Sequence, residues 1–248
     1  MYRFFTDEDH INGNDIYIDG SDYNHIKNVL RMKQGEEVSV VTGNDSREYR
    51  CEISSYEEDR VNLRLRFIKE ESSELSGKIY LFQGLPKSDK LELVIQKTVE
   101  LGVHEIIPVS MKRSVVKIDE KKRESKILRY NLISESAAKQ AKRQVIPVVK
   151  DIMTFGDALE YAEDFDLKLL PYELHDNSEF NNTREILESA KECSKIAVFI
   201  GPEGGFSEEE VSLARDCGFR EITLGKRILR TETAAMTIIS WLMYILEG

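Results

Sequence analysis

The segment 200–211 constrains the fold of this chain more than any other stretch of its sequence. Residues 197–200 form a short apolar run of the kind that is buried in parallel sheets. The Gly-Pro-Glu-Gly-Gly turn at 201–205 permits positive φ values and lets a ligand approach the backbone closely. Ser207 and Glu210 have the spacing of a capping box, which starts a helix. The segment therefore predicts a strand, a turn that can bind a ligand through its backbone, and a helix.

A second segment, 221–246, repeats this order of elements. Residues 221–224 are predicted to form a strand that ends at Gly225, and Thr231 or Thr233 is predicted to cap an apolar final helix. Ligand pockets in α/β proteins form at the carboxyl ends of neighbouring strands, so the two turns are expected to line one site. The alternative is that both are ordinary strand-to-helix turns without a ligand.

Charge is distributed unevenly along the chain. The net charge of −10 disfavours a nucleic-acid partner when it is considered alone. Residues 76–150, however, hold 16 Lys and Arg against 8 Asp and Glu. A local basic face is what phosphate binding requires, whatever the total charge. A solvated helical face explains part of this block equally well.

Other features of the composition exclude several classes of protein. No apolar run is long enough for a transmembrane helix and no secretory signal pattern is present, so a soluble, cytoplasmic protein is expected. The 3 cysteines and 4 histidines lack the spacing of disulfide frameworks or zinc sites. No metal and no membrane partner are therefore predicted.

The periodicity changes near residue 75, which predicts two domains. Before that point, strands dominate and predict a small, partly closed β-barrel, with a helix at 22–29 capped by Ser21 and a hairpin turn at 42–45. After it, strands alternate with helices, which is typical of a mostly parallel sheet covered on both faces. The predicted strands are 15–18, 37–42, 47–53, 60–67, 79–83, 106–108, 167–170, 197–200 and 221–224, and the predicted helices include 87–101, 119–144, 157–162 and 183–190.

The two glycine-containing segments resemble the cofactor signature of the SPOUT superfamily of knotted methyltransferases. IGPEGGFS at 200–207 and LGKRILRTETA at 224–234 carry this resemblance. Together with supporting stretches at 85–103, 112–116 and 135–149, they resemble the bacterial family that methylates N3 of a uridine in 16S rRNA. The resemblance covers nearly the whole chain. It implies a PUA-like β-barrel RNA-binding domain at 1–72 and an α/β, knotted parallel-sheet SPOUT methyltransferase domain at 73–248.

The resemblance also implies that S-adenosylmethionine is the cofactor. Its edges are expected to meet backbone groups at the ends of three strands. The predicted cofactor-binding residues are Leu170, Pro171, Tyr172, Glu173, Ile200, Gly201, Pro202, Glu203, Gly204, Gly205, Leu224, Gly225, Ile228, Leu229, Arg230, Thr233 and Ala234.

Two residues are predicted to act on the acceptor base. Methyl transfer to N3 of uridine becomes easy as the N3 proton leaves, and the charge that develops spreads onto O2 and O4. Arg230 is the predicted cation at that charge, although an ion pair with Glu232 or a phosphate contact would also suit it. Glu232 is the predicted base, and Glu203 is the alternative.

The residues expected to hold RNA are basic or aromatic side chains spread over both domains: Arg3, His25, Lys27, Arg31, Lys87, Arg113 and Arg143. The expected partner is 16S rRNA or the 30S ribosomal subunit, and the resemblance implies a homodimer. Two other functions remain open: ribose 2′-O methylation by the same fold, and a non-catalytic RNA-binding module.

Overall fold

The computed structural model describes residues 1–43, 47–116, 120–172 and 178–248. The chain forms two compact units. The first unit contains Met1–Glu74 and Ala138–Ile146, and the second contains Leu75–Ala137 and Pro147–Gly248. Residues 138–146 thus make their contacts in the first unit, whereas the sequence suggested a division into 1–72 and 73–248.

The first unit is built on a mixed sheet with the strand order β1-β4-β5-β6-β3-β2, in which β1 pairs parallel with β4 and the other pairs are antiparallel. Alternate side chains of its strands, among them Ile18, Val38 and Ile53, are fully or almost fully buried in one core. The strands are β1 (Arg3–Phe5), β2 (Ile11–Asn12), β3 (Asp15–Ile18), β4 (Glu37–Val41), β5 (Glu48–Tyr56) and β6 (Val61–Lys69).

The helix of the first unit differs from its prediction at the amino end. Helix α1 (Gly20–Asn24) begins after Asp19 and continues as a π-helical turn at His25–Val29. Ser21 therefore lies inside the helix and does not cap it. The start is set by Gly20, whose φ of 56° is accessible to glycine without strain. Of the predicted hairpin turn at 42–45, residues 44 and 45 lie outside the described residues.

The second unit is built on a parallel sheet with the strand order β10-β8-β7-β12-β11-β13, and β9 pairs with β8. Its central strands are apolar on both faces, and Phe82, Ile107 and Phe199 are completely buried. Burial on both faces is what a parallel sheet between helices requires. The strands are β7 (Lys78–Gly84), β8 (Glu105–Ser110), β9 (Val148–Val149), β10 (Met153–Thr154), β11 (Leu167–Pro171), β12 (Lys195–Ile200) and β13 (Arg220–Ile222).

The helices of the second unit agree with the predicted pattern apart from their ends. The predicted helix at 119–144 ends at Gln140, because Lys142 takes a positive φ of 55°. None of the helices in the described ranges is long and apolar enough to span a bilayer. The helices are α2 (Lys90–Glu100), α3 (Glu120–Gln140), α4 (Phe155–Tyr161), α5 (Ser178–Glu188), α6 (Glu208–Asp216) and α7 (Thr231–Glu247).

The two helix starts near the glycine turns differ in how they are capped. Helix α6 has the predicted capping box: the Ser207 hydroxyl accepts a hydrogen bond from Glu210 N, and the Glu210 carboxylate accepts one from Ser207 N. Helix α7 is preceded by Arg230 at the N-cap position, and no side chain caps it. The prediction that Thr231 or Thr233 caps this helix is therefore wrong, since the Thr231 hydroxyl donates to Gly201 O instead.

Candidate functional site

A cavity of about 1020 Å³ lies within the second unit, where β11, β12 and β13 end. Two loops form most of its wall: the first loop, residues 201–206, follows β12, and the second loop, residues 223–230, follows β13. The predicted cofactor-binding residues that line it are Pro171, Tyr172, Ile200, Gly201, Pro202, Glu203, Gly204, Gly205, Leu224, Gly225, Ile228, Leu229, Arg230 and Ala234.

Three of the predicted cofactor-binding residues are not part of this wall. Leu170 is completely buried in the sheet, and Thr233 is exposed on α7. Neither of them lines the cavity. Glu173 lies outside the described residues.

The first loop packs so closely that glycine is required at its contacts. A Cβ atom added to Gly84, at the end of β7, would lie 2.6 Å from Pro202 N. A Cβ atom added to Gly201 would lie 3.2 Å from Gly205 Cα. Gly205 itself has a φ of 67°, and its N–H donates to Pro202 O over 2.9 Å. The loop backbone is therefore held in one shape by sterics that side chains would disturb.

A buried relay of side chains joins the first loop to β7 and α7. The Thr231 hydroxyl donates to Gly201 O over 2.6 Å, and the Gln83 amide nitrogen donates to the same hydroxyl over 2.8 Å. Gln83 is completely buried, and its amide nitrogen also donates to Gly84 O over 3.0 Å. Because unpaired polar groups are costly in such a place, this relay fixes the start of α7 against the loop.

Glu203 fixes the first loop to the start of α2. Its carboxylate accepts hydrogen bonds from Lys87 N over 3.1 Å and from Lys90 Nζ over 3.0 Å. Burial alone would raise the pKa of Glu203, but the hydrogen bonds from Lys90 and from backbone N–H groups outweigh it and hold the pKa below its ordinary value. Glu203 is thus an ionised anchor of the loop, and its lowered pKa makes it a weak proton acceptor.

Glu232, the predicted base, is in a different situation. Its Oε2 atom lies 3.5 Å from Lys90 Nζ, and within the described residues this buried oxygen accepts no hydrogen bond. Lys90 lines the cavity, whereas Glu232 itself does not. The ion pair between Glu232 and Arg230 that the sequence left open is not formed, because the cation beside Glu232 is Lys90.

The second loop is held mainly at its beginning. Thr223 N donates to the Thr183 hydroxyl over 3.0 Å, and Gly225 N donates to the Thr223 hydroxyl over 3.2 Å. Further along, Arg230 is exposed on the cavity wall, and among the described residues no group accepts a hydrogen bond from its guanidinium. Ile228 also lines the cavity although 82% of its surface is exposed.

Arg113, one of the predicted RNA-binding residues, is also part of the cavity wall. Its guanidinium donates to Gly204 O over 3.1 Å. A Cβ atom added to Gly204 would lie 3.0 Å from Arg113 Cβ, so the glycine permits this close approach. Arg113 therefore supports the first loop at Gly204.

Two predicted RNA-binding residues prove to be internal. Arg3 Nη2 lies 2.8 Å from the buried carboxylate of Glu48, and only 13% of the Arg3 side chain is exposed. Arg143 is buried and forms an ion pair with Glu74. Guanidinium groups that are committed to buried carboxylates cannot be offered to a phosphate without leaving those charges unpaired. The structure therefore corrects the prediction for Arg3 and Arg143.

The other predicted RNA-binding residues are at the surface of their units. His25, Lys27 and Arg31 are exposed in the first unit, and Lys87 is exposed in the second. The Lys27 ammonium group donates to the Tyr23 hydroxyl and lies 4.9 Å from the centre of that ring. Their accessibility is compatible with RNA binding, which stays a prediction for these residues.

Several residues of the site were not predicted, among them Gln83, Lys90, Arg227 and Thr231. Gln83 could have been found from the sequence, because it is a polar residue near the end of an otherwise apolar strand. A buried amide needs hydrogen-bond partners, which points to a structural role. Lys90 and Arg227 stand within the stretches that carry the family resemblance, but their sequence context gives no sign of their geometry.

One group of three potential metal ligands occurs among the described residues: Asp7, Asp9 and His10, whose ligand atoms lie within 4.8 Å of one another. Both aspartates are exposed, and the group lies in the first unit, which does not contain the cavity. Exposed acidic groups of this kind are common without a metal, so the expectation of no metal stays a prediction.

Two family models match this chain. A model described as RNA methyltransferase domain matches residues 73–243, and a model described as RNA methyltransferase PUA domain matches residues 18–66. The predicted fold class is thereby confirmed: a PUA-like domain precedes an α/β parallel-sheet domain of the methyltransferase type.

Proteins of known name and structure are similar to nearly the whole chain. Ribosomal RNA small subunit methyltransferase E of Bacillus subtilis is 38% identical over 231 residues, which cover 93% of this chain and 90% of that protein. A putative methyltransferase of Legionella pneumophila, solved with the cofactor S-adenosylmethionine, is 32% identical with a TM-score of 0.82 over 98% of this chain and 96% of that one. The corresponding methyltransferase E of Neisseria gonorrhoeae, bound to S-adenosylmethionine, is 28% identical with a TM-score of 0.82 over 99% and 98% of the two chains.

Proposed function

The chain belongs to the RNA methyltransferase family that includes the small-subunit ribosomal RNA methyltransferases E, and we propose that it transfers a methyl group from S-adenosylmethionine to N3 of a uridine in 16S rRNA. The observation that carries this proposal is the cavity at the strand ends, where a backbone-lined first loop faces an exposed Arg230. In this proposal one pocket holds both the methyl donor and a cation for the acceptor.

The cavity is compatible with the cofactor in size and in lining. Its volume of about 1020 Å³ is at the upper end of the roughly 300–1,000 Å³ that small-molecule sites occupy, which leaves room for an acceptor base beside the cofactor. The glycines of the first loop expose backbone N–H and C=O groups, which can pair with the edges of an adenosine. The bound cofactor in two similar structures supports the same reading.

In this proposal Arg230 stabilises the charge that develops on the acceptor base. S-adenosylmethionine supplies a methyl group that is already activated on a sulfonium. The protein must therefore orient the base and favour loss of the proton on N3. As that proton leaves, negative charge spreads onto O2 and O4, and a guanidinium placed there binds the transition state more strongly than the ground state.

For the proton itself, the structure favours Glu232 over Glu203. The carboxylate of Glu203 is occupied by Lys87 and Lys90, and its lowered pKa opposes protonation. The buried Oε2 of Glu232 accepts no hydrogen bond from the described residues and has Lys90, a cavity residue, beside it. We therefore propose that Glu232 receives the N3 proton through a bridging water, since Glu232 itself does not line the cavity.

The test is methyl transfer to 30S subunits and to naked 16S rRNA from cells that lack this protein, with labelled S-adenosylmethionine. Wild-type protein should methylate N3 of one uridine, and Arg230→Ala should lower kcat by about 10²–10³-fold, as expected for loss of a charge-stabilising donor. Lys226→Ala, in the same loop but outside the cavity wall, is the control and should stay within twofold of wild type.

Mass spectrometry of nuclease fragments separates the alternatives. A methyl group on ribose O2′ would replace this proposal with the 2′-O reaction. RNA binding without any methyl transfer and without cofactor binding would leave the non-catalytic RNA-binding module. Comparison of the two substrates also shows whether the assembled subunit is needed.

We also propose that the first 72 residues bind RNA and that the protein acts as a homodimer. The match of residues 18–66 to the PUA model supports the former. For the latter, α7 buries one face in the second unit but leaves Tyr244 80% exposed. Trp241, Met243 and Ile245 of the same helix are only partly buried, and a helix that is apolar around much of its circumference is commonly covered by another subunit. A monomeric mass in light scattering at micromolar concentration would contradict the dimer.

A further inference from the structure

The tip of the second loop exposes both charged and apolar side chains. Lys226, Arg227 and Arg230 are exposed, and in the described part of the chain no carboxylate pairs with any of them. Between these cations stands Ile228, the most exposed large apolar side chain of the described residues, at 82%. A single exposed apolar side chain is common at protein surfaces, so the informative feature is the position of Ile228 between these cations on the cavity wall.

The acidic side chains of the cavity wall do not balance these cations. Glu203 is paired with Lys90, and Glu221 is paired with Arg215. The other cations of the wall, Arg113, Arg227 and Arg230, face no carboxylate among the described residues. The mouth of the cavity therefore carries a net positive charge, which attracts an anion.

The cofactor does not account for this charge. S-adenosylmethionine carries a sulfonium and an ammonium group against one carboxylate, so its net charge is positive. Its single carboxylate can pair with one of these cations at most, whereas each of them strengthens the binding of a polynucleotide. Arg230 has a role at the acceptor base in the proposed function, and Ile228 is predicted to meet the cofactor through its backbone only, which leaves the side chains of Arg227 and Ile228 without a role.

We propose that Arg227 and Ile228 bind a single-stranded nucleotide of the RNA at the mouth of the cavity. Arg227 pairs with its phosphate, since a guanidinium matches two phosphate oxygens at once. Ile228 covers the face of an unstacked base, as apolar side chains do in proteins that read splayed-out RNA. This inference rests on the proposed function and adds to it the residues that hold the acceptor strand.

The chain offers a matched control for this proposal in Lys226. It neighbours Arg227, is exposed and carries the same charge, but it does not line the cavity. Removal of either charge lowers the general attraction to RNA equally. Only a phosphate held at the cavity mouth makes Arg227 matter more than Lys226.

The experiment measures the dissociation constant for 16S rRNA by filter binding at several salt concentrations. Arg227→Gln should weaken binding about fivefold to tenfold and reduce the slope against log salt by about 1. Ile228→Ala should weaken binding about threefold without a change in slope. Lys226→Gln should stay within about twofold of wild type, and calorimetry should show unchanged affinity for S-adenosylmethionine in all three variants.

Two results would overturn the proposal. Equal losses for Arg227→Gln and Lys226→Gln would show a general electrostatic contribution only. A larger loss of cofactor affinity than of RNA affinity in Arg227→Gln or Ile228→Ala would assign these residues to the donor site. A failure of the proposed function gives a different result. The wild-type protein then transfers no methyl group to N3, while the RNA affinities of the variants can still be compared.

Discussion

The two loops that form the cavity follow the same order of strand, turn and helix, but they are held very differently. The first loop is fixed to three other parts of its unit: to α7 through Thr231, to the start of α2 through Glu203, and to Arg113 through Gly204. Among the described residues, the second loop is held mainly near Thr223, and its tip exposes Ile228 and its neighbouring cations.

This difference indicates that the two loops bind different ligands within one pocket. A rigid backbone wall suits a small ligand of constant shape, because its hydrogen-bonding groups are already in position. An exposed loop of cations and apolar surface suits a large polymer that must enter and leave. We therefore expect substitutions at the first loop to affect stability and cofactor binding, and substitutions at the second loop to affect RNA.

The largest effect is expected where the first loop rests on β7. In Gly84→Ala the new Cβ would lie 2.6 Å from Pro202 N and 2.9 Å from Met111 Sδ, so the backbone must shift. We expect a loss of about 3 kcal/mol in the free energy of unfolding, measured by urea denaturation, together with weaker cofactor binding. Gly156→Ala in α4 is the control, since its Cβ would meet nothing closer than 3.9 Å. Equal stability of the two variants would contradict the tight contact.

A smaller loss in the free energy of unfolding is expected when the buried relay of Gln83, Thr231 and Gly201 is interrupted. Thr231→Val keeps the shape of the side chain but removes the hydroxyl that joins Gln83 to Gly201. The Gly201 carbonyl then lacks its donor, and the free energy of unfolding should fall by about 2 kcal/mol. The affinity for the cofactor should fall together with stability. Thr231→Ser keeps the hydroxyl and should retain both the stability and the cofactor affinity of wild type. A valine variant as stable as wild type would show that the relay does not hold the loop.

A still smaller effect is expected for the ion pair at the surface of the first loop. Glu203→Gln keeps the acceptor for Lys87 N but removes the charge beside Lys90. Because the ion pair is partly solvated, the free energy of unfolding should fall by about 0.5–1 kcal/mol at neutral pH. Thermal unfolding measures this change. The cofactor should bind a few-fold more weakly while kcat stays nearly constant. A fall in kcat alone would instead make Glu203 part of the chemistry.

The same variant gives a prediction about pH. The pKa of Glu203 is held below its ordinary value of 4.5, so its stabilising contribution is complete at neutral pH and is lost as the pH falls through the folded-state value. The gap in melting temperature between wild type and Glu203→Gln should therefore be constant from pH 7 to about pH 5 and should narrow below pH 4.5. A gap that widens on acidification would have the wrong sign.

The smallest effect on stability is expected at the tip of the second loop. Ile228→Ala removes a side chain that is already 82% exposed, so the free energy of unfolding should change by less than about 0.5 kcal/mol. Its effect should be seen in RNA binding alone. A clear loss of stability would mean that this loop is packed as firmly as the first and would remove the distinction between them.

Much of the fold could be predicted because the signals are local. The capping box of α6 lies within four residues, and the apolar run before the first loop is a strand in the structure. The change of periodicity near residue 75 separated the strand-rich part from the alternating part for the same reason. Strands β1 and β2 have too few residues to show a period and were not predicted.

The pairing of charges could not be predicted, because it depends on residues that are far apart in the sequence. Glu48 accepts from Arg3 across 45 positions, and Glu74 accepts from Arg143 across 69. A count of basic residues treats these arginines and the free Arg230 alike. Only the fold shows which cations are neutralised inside and which are offered to a ligand.

The first unit is assembled from two separate segments of the chain, which has a consequence for folding during synthesis. Glu74 accepts hydrogen bonds from the Arg143 guanidinium and from Gln144 N, and Gly43 forms a bridge with Val145. A ribosome that has synthesised only residues 1–74 has therefore not yet supplied every residue that completes this unit. The buried core of this unit lies within residues 4–63, so its strands can pair, but the carboxylate of Glu74 lacks Arg143 and Gln144 until α3 and the turn after it have emerged. The first unit is thus completed only after part of the second unit has already been synthesised.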